Sequence, residues 1–523
     1  MNIRDFLKHN SFFLVITILF VIWMIYLLDT IIPAIRTIHF YNIFSTGGWM
    51  DASNLYISQI PFARYFIEPF VGLTFIFTFE NDPTDILLLF ILVYAVVRIG
   101  LLALDNTILR SSRKKEVLFR YIKDILEFFT KYASFMFLIM AAILGIGYLS
   151  LGFLFLSDYF ELSFHLFAIV GILLLFFKAI YNIIIFYHPK KSLKVSIARS
   201  KKIGGKIFIR IRRELFYFWT ALLLLFTLNF AALSIPFPTQ YINAVDLAPN
   251  EVLCDFHGHT MLSDGMLTPE ERVLWYMDQG IQIAAFSDHS TVLGSHRAQA
   301  FVEANHLNFT VLLSQEFTDD PEDIHLNIFG IDEEIIPKDY SDAAYPYGGI
   351  RMNVSEMIPY VKAHGGYVIV NHYESNASAP FSYNQLKTWG VDGFEVHGGA
   401  HYLEIRDFCV NNSLIWLSST DMHLTHELNE FTRLTLTDPT NRTLAHVFEC
   451  LRYNNHSGVV IPAFNYPKGH KLEFFNEYLS NLDGFQALSW ILWSGIAYGI
   501  VVLLIWRIKK AKSDKFINKI TEA

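Results

Sequence analysis

Histidines and carboxylates recur where short β-rich runs end, between residues 250 and 425. His257 and His259 follow the run 251–256, Asp288 and His289 close 282–287, and Glu316 closes 310–316. His325 opens 325–330, His372 ends 367–371, and Asp421 and His423 follow 414–419. Side chains alternate along an extended segment, so the His-x-His pair 257/259 puts both imidazoles on one side, where they can grip one cation. Asp421 and His423 repeat that geometry. Mixed imidazole and carboxylate donors suit Zn, Mn or Fe rather than a thiolate-bound metal. Eight or nine such ligands are too many for one ion, so two or three divalent metals are implied, and a carboxylate such as Glu316 can bridge two of them. Packing is a poor explanation, because a core would place apolar residues at these positions.

A cluster of this kind supplies a metal-bound hydroxide near neutral pH, polarises the bond under attack and stabilises the attacking and leaving oxygens. That is hydrolysis. Phosphate mono- and diesters suit it because their anionic oxygens bind the metals. No G-x-S-x-G elbow, P-loop or G-x-G-x-x-G turn is present, so a serine nucleophile and a nucleotide cradle are unsupported. The three cysteines, Cys254, Cys409 and Cys450, form no C-x-x-C pair and read as buried small residues. The formal net charge of -8 speaks against a nucleic-acid scaffold.

The elements that must hold these residues are strands at 251–256, 282–287, 310–316, 325–330, 367–371, 393–397 and 414–419, alternating with helices near 269–279, 294–306, 353–364, 382–389, 402–411 and 443–453. Thr268-Pro269 is a helix start and Gly365-Gly366 a helix stop. Repeated βα units predict an α/β domain over 246–480, a parallel sheet or barrel with its site at the C-terminal strand ends.

The motifs carry a resemblance. Asp255-Phe256-His257-Gly258-His259-Thr260-Met261-Leu262-Ser263-Asp264-Gly265 resembles the first motif of the polymerase-and-histidinol-phosphatase (PHP) family of phosphoesterases. Phe286-Ser287-Asp288-His289-Ser290 resembles the second, and Ser314-Gln315-Glu316 with His325-Leu326-Asn327 the third. Gly365 to His372 resembles the next, and Ser418-Ser419-Thr420-Asp421-Met422-His423 the last. The match spans residues 250–475 in the family's order. It implies a distorted (β/α)7 barrel with metal ligands His257, His259, Asp264, His289, Glu316, His325, His372, Asp421 and His423. Asp264, where many members have histidine, would be a ligand or a proton donor. Asp264, Asp288 and Asp421 form the expected catalytic set. Tyr373 follows His372 where many members have proline. His397, with Glu395, reads either as pocket lining or as local structure, and Arg433 either as a substrate contact or as a surface ion pair. No polymerase domain follows, so a proofreading role is unsupported.

The rest of the chain is of different material. Residues 1–240 predict an all-α region of about five transmembrane helices, and 486–506 a C-terminal one. The apolar stretches are 11–28, 85–104, 133–156, 163–187, 215–235 and 486–506, with Phe66–Phe79 an open case that carries Glu68 and Pro69. Lys and Arg crowd the loops after the second and fourth stretches and the tail 507–523. Six crossings place these on the cytoplasmic side and the hydrolase domain outside the cytoplasm. Several N-x-S/T sequons in the soluble part are compatible with that. The expected protein is a multi-pass membrane phosphoesterase whose partners are the bilayer and a phosphorylated small molecule or lipid. The alternatives are hydrolysis of a carbamate, amide or ester at the same metals, or a metal-binding receptor without turnover.

Overall fold

The computed structural model describes residues 3–31, 39–78 without 46, 113–151, 211–223, and most of 241–461 and 482–503, with scattered positions elsewhere. The chain divides into two compact units: Met1–Pro33 with Glu68–Ile235 and Ala487–Ala523, and Ala34–Ile67 with Pro236–Gln486.

The second unit is mixed α/β. Its early strands are β1 (Tyr41–Asn42), β2 (Met50–Asp51), β3 (Tyr56–Gln59), β4 (Tyr241–Ala244) and β5 (Glu251–Asp255). Then come β6 (Ile283–Phe286), β7 (Thr310–Asp319), β8 (Ile324–Phe329), β9 (Ile335–Pro337) and β10 (Ile350–Met352). The last are β11 (Tyr367–Val370), β12 (Gly393–Glu395), β13 (Ile415–Leu417), β14 (Glu430–Thr435) and β15 (His456–Val460). Among the described residues, eleven of these form one sheet in the order β13-β12-β11-β8-β7-β6-β5-β14-β15-β1-β2.

The β5, β6 and β7 register is parallel, as is that of β11, β12 and β13. β8 runs antiparallel to both its neighbours, and β14 antiparallel to β5. The sheet is therefore not the all-parallel one that repeated βα units predict. The turn after Asp319 leaves no room for a crossover helix, so β7 returns as a hairpin.

Alternation along the strands sorts the core into layers. Val252, Cys254 and Phe256 form one buried cluster with Ile283, Leu312, Phe329, Ile369, Leu417, Leu434 and Phe448. A flat sheet would hold β13 and β14 far apart, so the sheet is rolled. Ser418 N donates to Thr432 Oγ1 at 2.9 Å, and that hydroxyl donates back to Ser418 O at 2.7 Å. A threonine side chain thus bridges the two strands. The other faces of the strands, with Leu253, Ala284, Phe286 and Val311, pack beneath helices.

Those helices begin as read. The label α1 is Ile3–Ile31, α2 Phe62–Thr78 and α3 Arg113–Leu151. In the sheet unit, α4 (Pro269–Asp278) has a capping box of Thr268 and Glu271 with Pro at its first turn. It is followed by α5 (Leu293–Ala304), α6 (Val354–Ala363), α7 (Tyr383–Trp389), α8 (Tyr402–Asn411) and α9 (Leu444–Arg452). After α6, Gly365 takes φ +81, the left-handed stop that glycine adopts without a Cβ penalty. All three cysteines are buried free thiols.

One boundary differs from expectation. Residues 34–67 lie in the α/β unit rather than with the apolar helices. β1 pairs with β15, and β3 pairs with β4. Segments of two and four residues leave too short an alternation to be read as strands, and their partners are some two hundred or more positions away.

In the first unit, α1 meets helical residues 484–499 through Thr17 with Tyr498 and Trp23 with Ser494. Among the described residues one helix, Glu127–Gly147 within α3, is long and apolar enough to cross a membrane, and Phe13–Asp29 is a shorter apolar helix. Of the other expected crossings, 85–104, 163–187, 215–235 and 486–506 lie partly outside the described residues.

Candidate metal centre

The C-terminal end of β5 is tied down by Asp255. Its buried carboxylate accepts from Thr420 N (3.0 Å), His257 N (3.3 Å) and Tyr276 Oη (2.9 Å), and from Thr420 Oγ1. Burial pushes its pKa up to about 6, against the pull of those donors. The result is that the loop bearing His257 and His259 lies against the loop bearing Asp421 and His423, and His259 N donates to Met422 O at 2.9 Å. Asp421 sits at φ +52 and His372 at φ +24. Residues in that region are costly unless the surroundings hold them, and such positions concentrate at functional sites. Here the holders are Asp255, through Thr420, and Glu395, which accepts from His372 N at 2.9 Å.

The nine expected donors converge. His257 Nε2 lies 3.1 Å from His259 Nε2, 3.2 Å from Asp421 Oδ1 and 3.3 Å from Glu316 Oε1. Glu316 Oε1 is also 3.2 Å from His325 Nδ1 and 3.6 Å from His372 Nε2, while its Oε2 is 2.9 Å from His289 Nδ1. Asp264 Oδ2 lies 3.3 Å from His423 Nε2 and 3.4 Å from His289 Nε2. Asp421 Oδ1 stands 3.1 Å from His259 Nε2 and 3.6 Å from His423 Nδ1. Three overlapping sets, each with donor atoms within 4.8 Å, emerge: His259, Asp264, His289 and His423; His257, His259 and Glu316; Glu316, His325 and His372.

These residues fit cations. Two imidazole nitrogens facing each other at 3.1 Å can share at most one proton, and Glu316 Oε2, though buried, has no hydrogen bond of acceptable geometry. Both are awkward for a self-contained polar core and natural for donors aimed at a common positive charge.

The charges are complementary. Burial opposes ionisation of His257, yet Glu395, Asp421 and Glu316 raise its pKa well above the ordinary value. Burial, with His423 and His289 beside it, drives His259 down to about 4. For Glu316 and Asp421 burial works upward, but the surrounding histidines hold both well below the usual carboxylate range. Asp264 is likewise held low, against burial, by His289 and His423.

Not every expected residue reaches the cluster. Asp288, expected in the catalytic set, is spent on the loop before Asp264. It accepts from Thr260 N and Thr260 Oγ1, each at 2.7 Å, and from Ser263 Oγ at 2.8 Å. Arg433, open between a substrate contact and an ion pair, makes a two-pronged ion pair with Glu251 at the far end of β5. Its position on β14, antiparallel to β5, sets it opposite Leu253 and away from the strand end that carries His257. His397 has both ring nitrogens 3.2 Å from carboxylates, Glu395 and Glu430, so neither nitrogen is left for substrate.

Glu395, which the sequence leaves open between pocket lining and local structure, joins the site, as do Asn371 and Thr318. Glu395 Oε1 lies 2.8 Å from His257 Nδ1 and accepts from Ser419 Oγ at 2.6 Å. Asn371 Nδ2 donates to Glu316 Oε1 at 2.7 Å, and Thr318 Oγ1 lies 2.6 Å from His289 Nδ1. The available signal was position: Glu395 and Asn371 also stand at strand ends.

No protein-family model matches the chain, and no curated protein matches it. Solved structures do show a likeness. A two-domain protein from Bacteroides vulgatus, containing a predicted PHP-like metal-dependent phosphoesterase, is 16% identical with a TM-score of 0.33, over 42% of this chain and 68% of that one. A candidate metal-dependent phosphoesterase from Bifidobacterium adolescentis is 19% identical with a TM-score of 0.27, over 32% of this chain and 87% of that one. An amidohydrolase from Chromobacterium violaceum, with bound sulfate and no metal, is 14% identical with a TM-score of 0.27, over 38% of this chain and 95% of that one.

Proposed function

We propose that the chain is a membrane-anchored, metal-dependent phosphoesterase whose rolled sheet is a distorted (β/α)7 barrel of PHP type. The supporting observation is the convergence of eight histidine and carboxylate donors in three overlapping sets at one end of the sheet, with Asp421 within 3.2 Å of His257 and His259. Two or three divalent cations, Zn, Mn or Fe, would be held by His257, His259, Asp264, His289, Glu316, His325, His372, Asp421 and His423. When bound, such cations activate water near neutral pH and offset charge on a phosphoryl group.

The chain's own residues do the rest. Glu316, buried and common to two of the three sets, would link the cations they hold. Asp264, with 41% of its side chain exposed, and His423, with 31%, are the most open donors and mark the side from which substrate enters. Asp264 Oδ2, within 3.4 Å of His289 Nε2 and His423 Nε2, is placed to share their cation as a ligand. Anchoring follows from the apolar segments, with the hydrolase domain outside the cytoplasm and the tail within it.

A specific observation keeps hydrolysis of an amide, carbamate or ester in view. The Lys and Arg side chains of 241–461 are engaged elsewhere: Arg272 on His259 O, Arg433 on Glu251, Lys362 and Arg452 on Asp392, and the others on distant partners. Among the described residues of 241–461, a phosphate would then be met by cations and histidines rather than by Lys or Arg. The test is hydrolysis by the detergent-solubilised full chain of p-nitrophenyl phosphate, its bis ester and matched carboxylic and carbamate esters, with Mn or Zn and with chelator. Metal-dependent phosphate release supports the phosphoesterase. Turnover of carbon esters alone replaces it with the second reading, and metal binding without turnover points to a receptor.

A further inference from the structure

We propose that segment 39–59 and the hydrolase domain share one side of the membrane and that α2 lies along the bilayer surface instead of crossing it. This rests on the membrane reading of the apolar stretches. The observation that carries it is backbone pairing.

β3 and β4 pair antiparallel over four residues, Tyr56↔Ala244 to Gln59↔Tyr241. Tyr41 pairs with Val460 and Asn42 with Val459. Ile43 N donates to Gly458 O and Val245 N to Leu55 O, at 2.9 and 2.8 Å. Phe40 and Tyr56 are buried in one cluster with Phe431. Strands that exchange backbone hydrogen bonds cannot have a bilayer between them. The chain that leaves Gln59 and returns at Tyr241 therefore crosses an even number of times. The four stretches 85–104, 133–156, 163–187 and 215–235 meet that condition. Adding α2 as a fifth breaks it.

The geometry of α2 agrees. It starts at Phe62, three residues after β3 ends, so it leaves directly from the paired strand. Phe62, Phe66 and Phe70, four apart and thus on one face, are 74%, 59% and 50% exposed. Arg64 and Glu68, on the opposite face, are buried. Phe70 also meets Trp493 edge-on at 5.1 Å, and exposed aromatics with charge turned inward suit a helix seated at the lipid–water interface.

The test uses single cysteines in the full-length protein, whose own thiols are buried. Ile57→Cys on β3, Leu274→Cys on α4 and Lys202→Cys in the basic loop are labelled with a membrane-impermeant maleimide, in intact and in permeabilised cells. Residues 57 and 274 are expected to label in intact cells and residue 202 only after permeabilisation. Opposite sides for 57 and 274 would overturn the shared compartment. The same side for all three would overturn the membrane reading on which the proposal stands, leaving hydrolysis to be judged by its own assay. For α2, a bimane on Phe66→Cys is expected to be quenched several-fold more by shallow than by deep doxyl lipids, and the reverse order would make α2 a crossing.

Discussion

His257 Nδ1 stands 2.8 Å from Glu395 Oε1, although the two residues are 138 positions apart. That contact turns Nε2 of the same ring toward Asp421 and Glu316. A ring whose second nitrogen is anchored by a carboxylate keeps one tautomer and one orientation. Glu395→Gln preserves volume but weakens the anchor. It is expected to lower metal affinity about 10- to 100-fold, measured by calorimetric titration with Zn or Mn. Unchanged affinity would show that Glu395 is merely structural.

Asp421 is both a donor and a left-handed residue at φ +52. Asparagine tolerates that backbone, so Asp421→Asn is expected to fold with an unchanged circular-dichroism melt. Its bound metal falls and its hydrolytic rate drops by about 100-fold or more. A β-branched residue there would instead lower the melting temperature. If Asp421→Asn keeps full activity, the ligand assignment is wrong.

Gly294 sits where a Cβ would run into Asp288 Oδ2 and approach Thr260 Oγ1. Gly294→Ala is therefore expected to destabilise the fold by about 1–3 kcal/mol through overpacking. Because Asp288 holds the Thr260–Ser263 loop that leads to Asp264, activity should fall further than stability alone accounts for. Thermal melts and rates on one preparation separate the two effects.

Phe40 is 1% exposed and stacks on Tyr56 with ring centroids 4.9 Å apart. Phe40→Ala is expected to cost the α/β unit about 3–5 kcal/mol. Near-native stability in denaturant would show that segment 39–59 is not part of that unit's core. For the same reason, a fragment that starts at residue 246 should be less stable than one that retains 34–67.

His456 donates from Nε2 to Trp416 O at 2.6 Å and packs edge-on against Phe44, while its Nδ1 is buried without a partner. Burial lowers its pKa from 6.5 to about 4. Between those values the unfolded chain binds the extra proton. This contribution is therefore complete above pH 6.5 and is lost as the pH falls toward 4. It amounts to at most about 3 kcal/mol. His456→Asn should flatten the loss of stability between neutral and acidic pH, read from urea melts in detergent. Equal acid sensitivity in parent and variant would rule this out.

The strands that carry the donors were legible in the sequence because local signals agree. Thr268-Pro269 starts a helix, Gly365-Gly366 stops one, and a short β-rich run precedes most of the His and carboxylate donors. The metal-binding residue types could be read for a similar reason: His-x-His on an extended segment has only one geometry. What the sequence left open depends on contacts between distant positions. Pairing of β1 with β15 and of β3 with β4 is specified by backbone hydrogen bonds, which leave little trace in side-chain pattern over two to four residues. Likewise, the residue types do not say that Arg433 would be taken by Glu251, that His397 would be held between two carboxylates, or that Asp288 would secure a loop. A charged side chain takes the nearest opposite partner or donor, and only the tertiary structure decides which one that is.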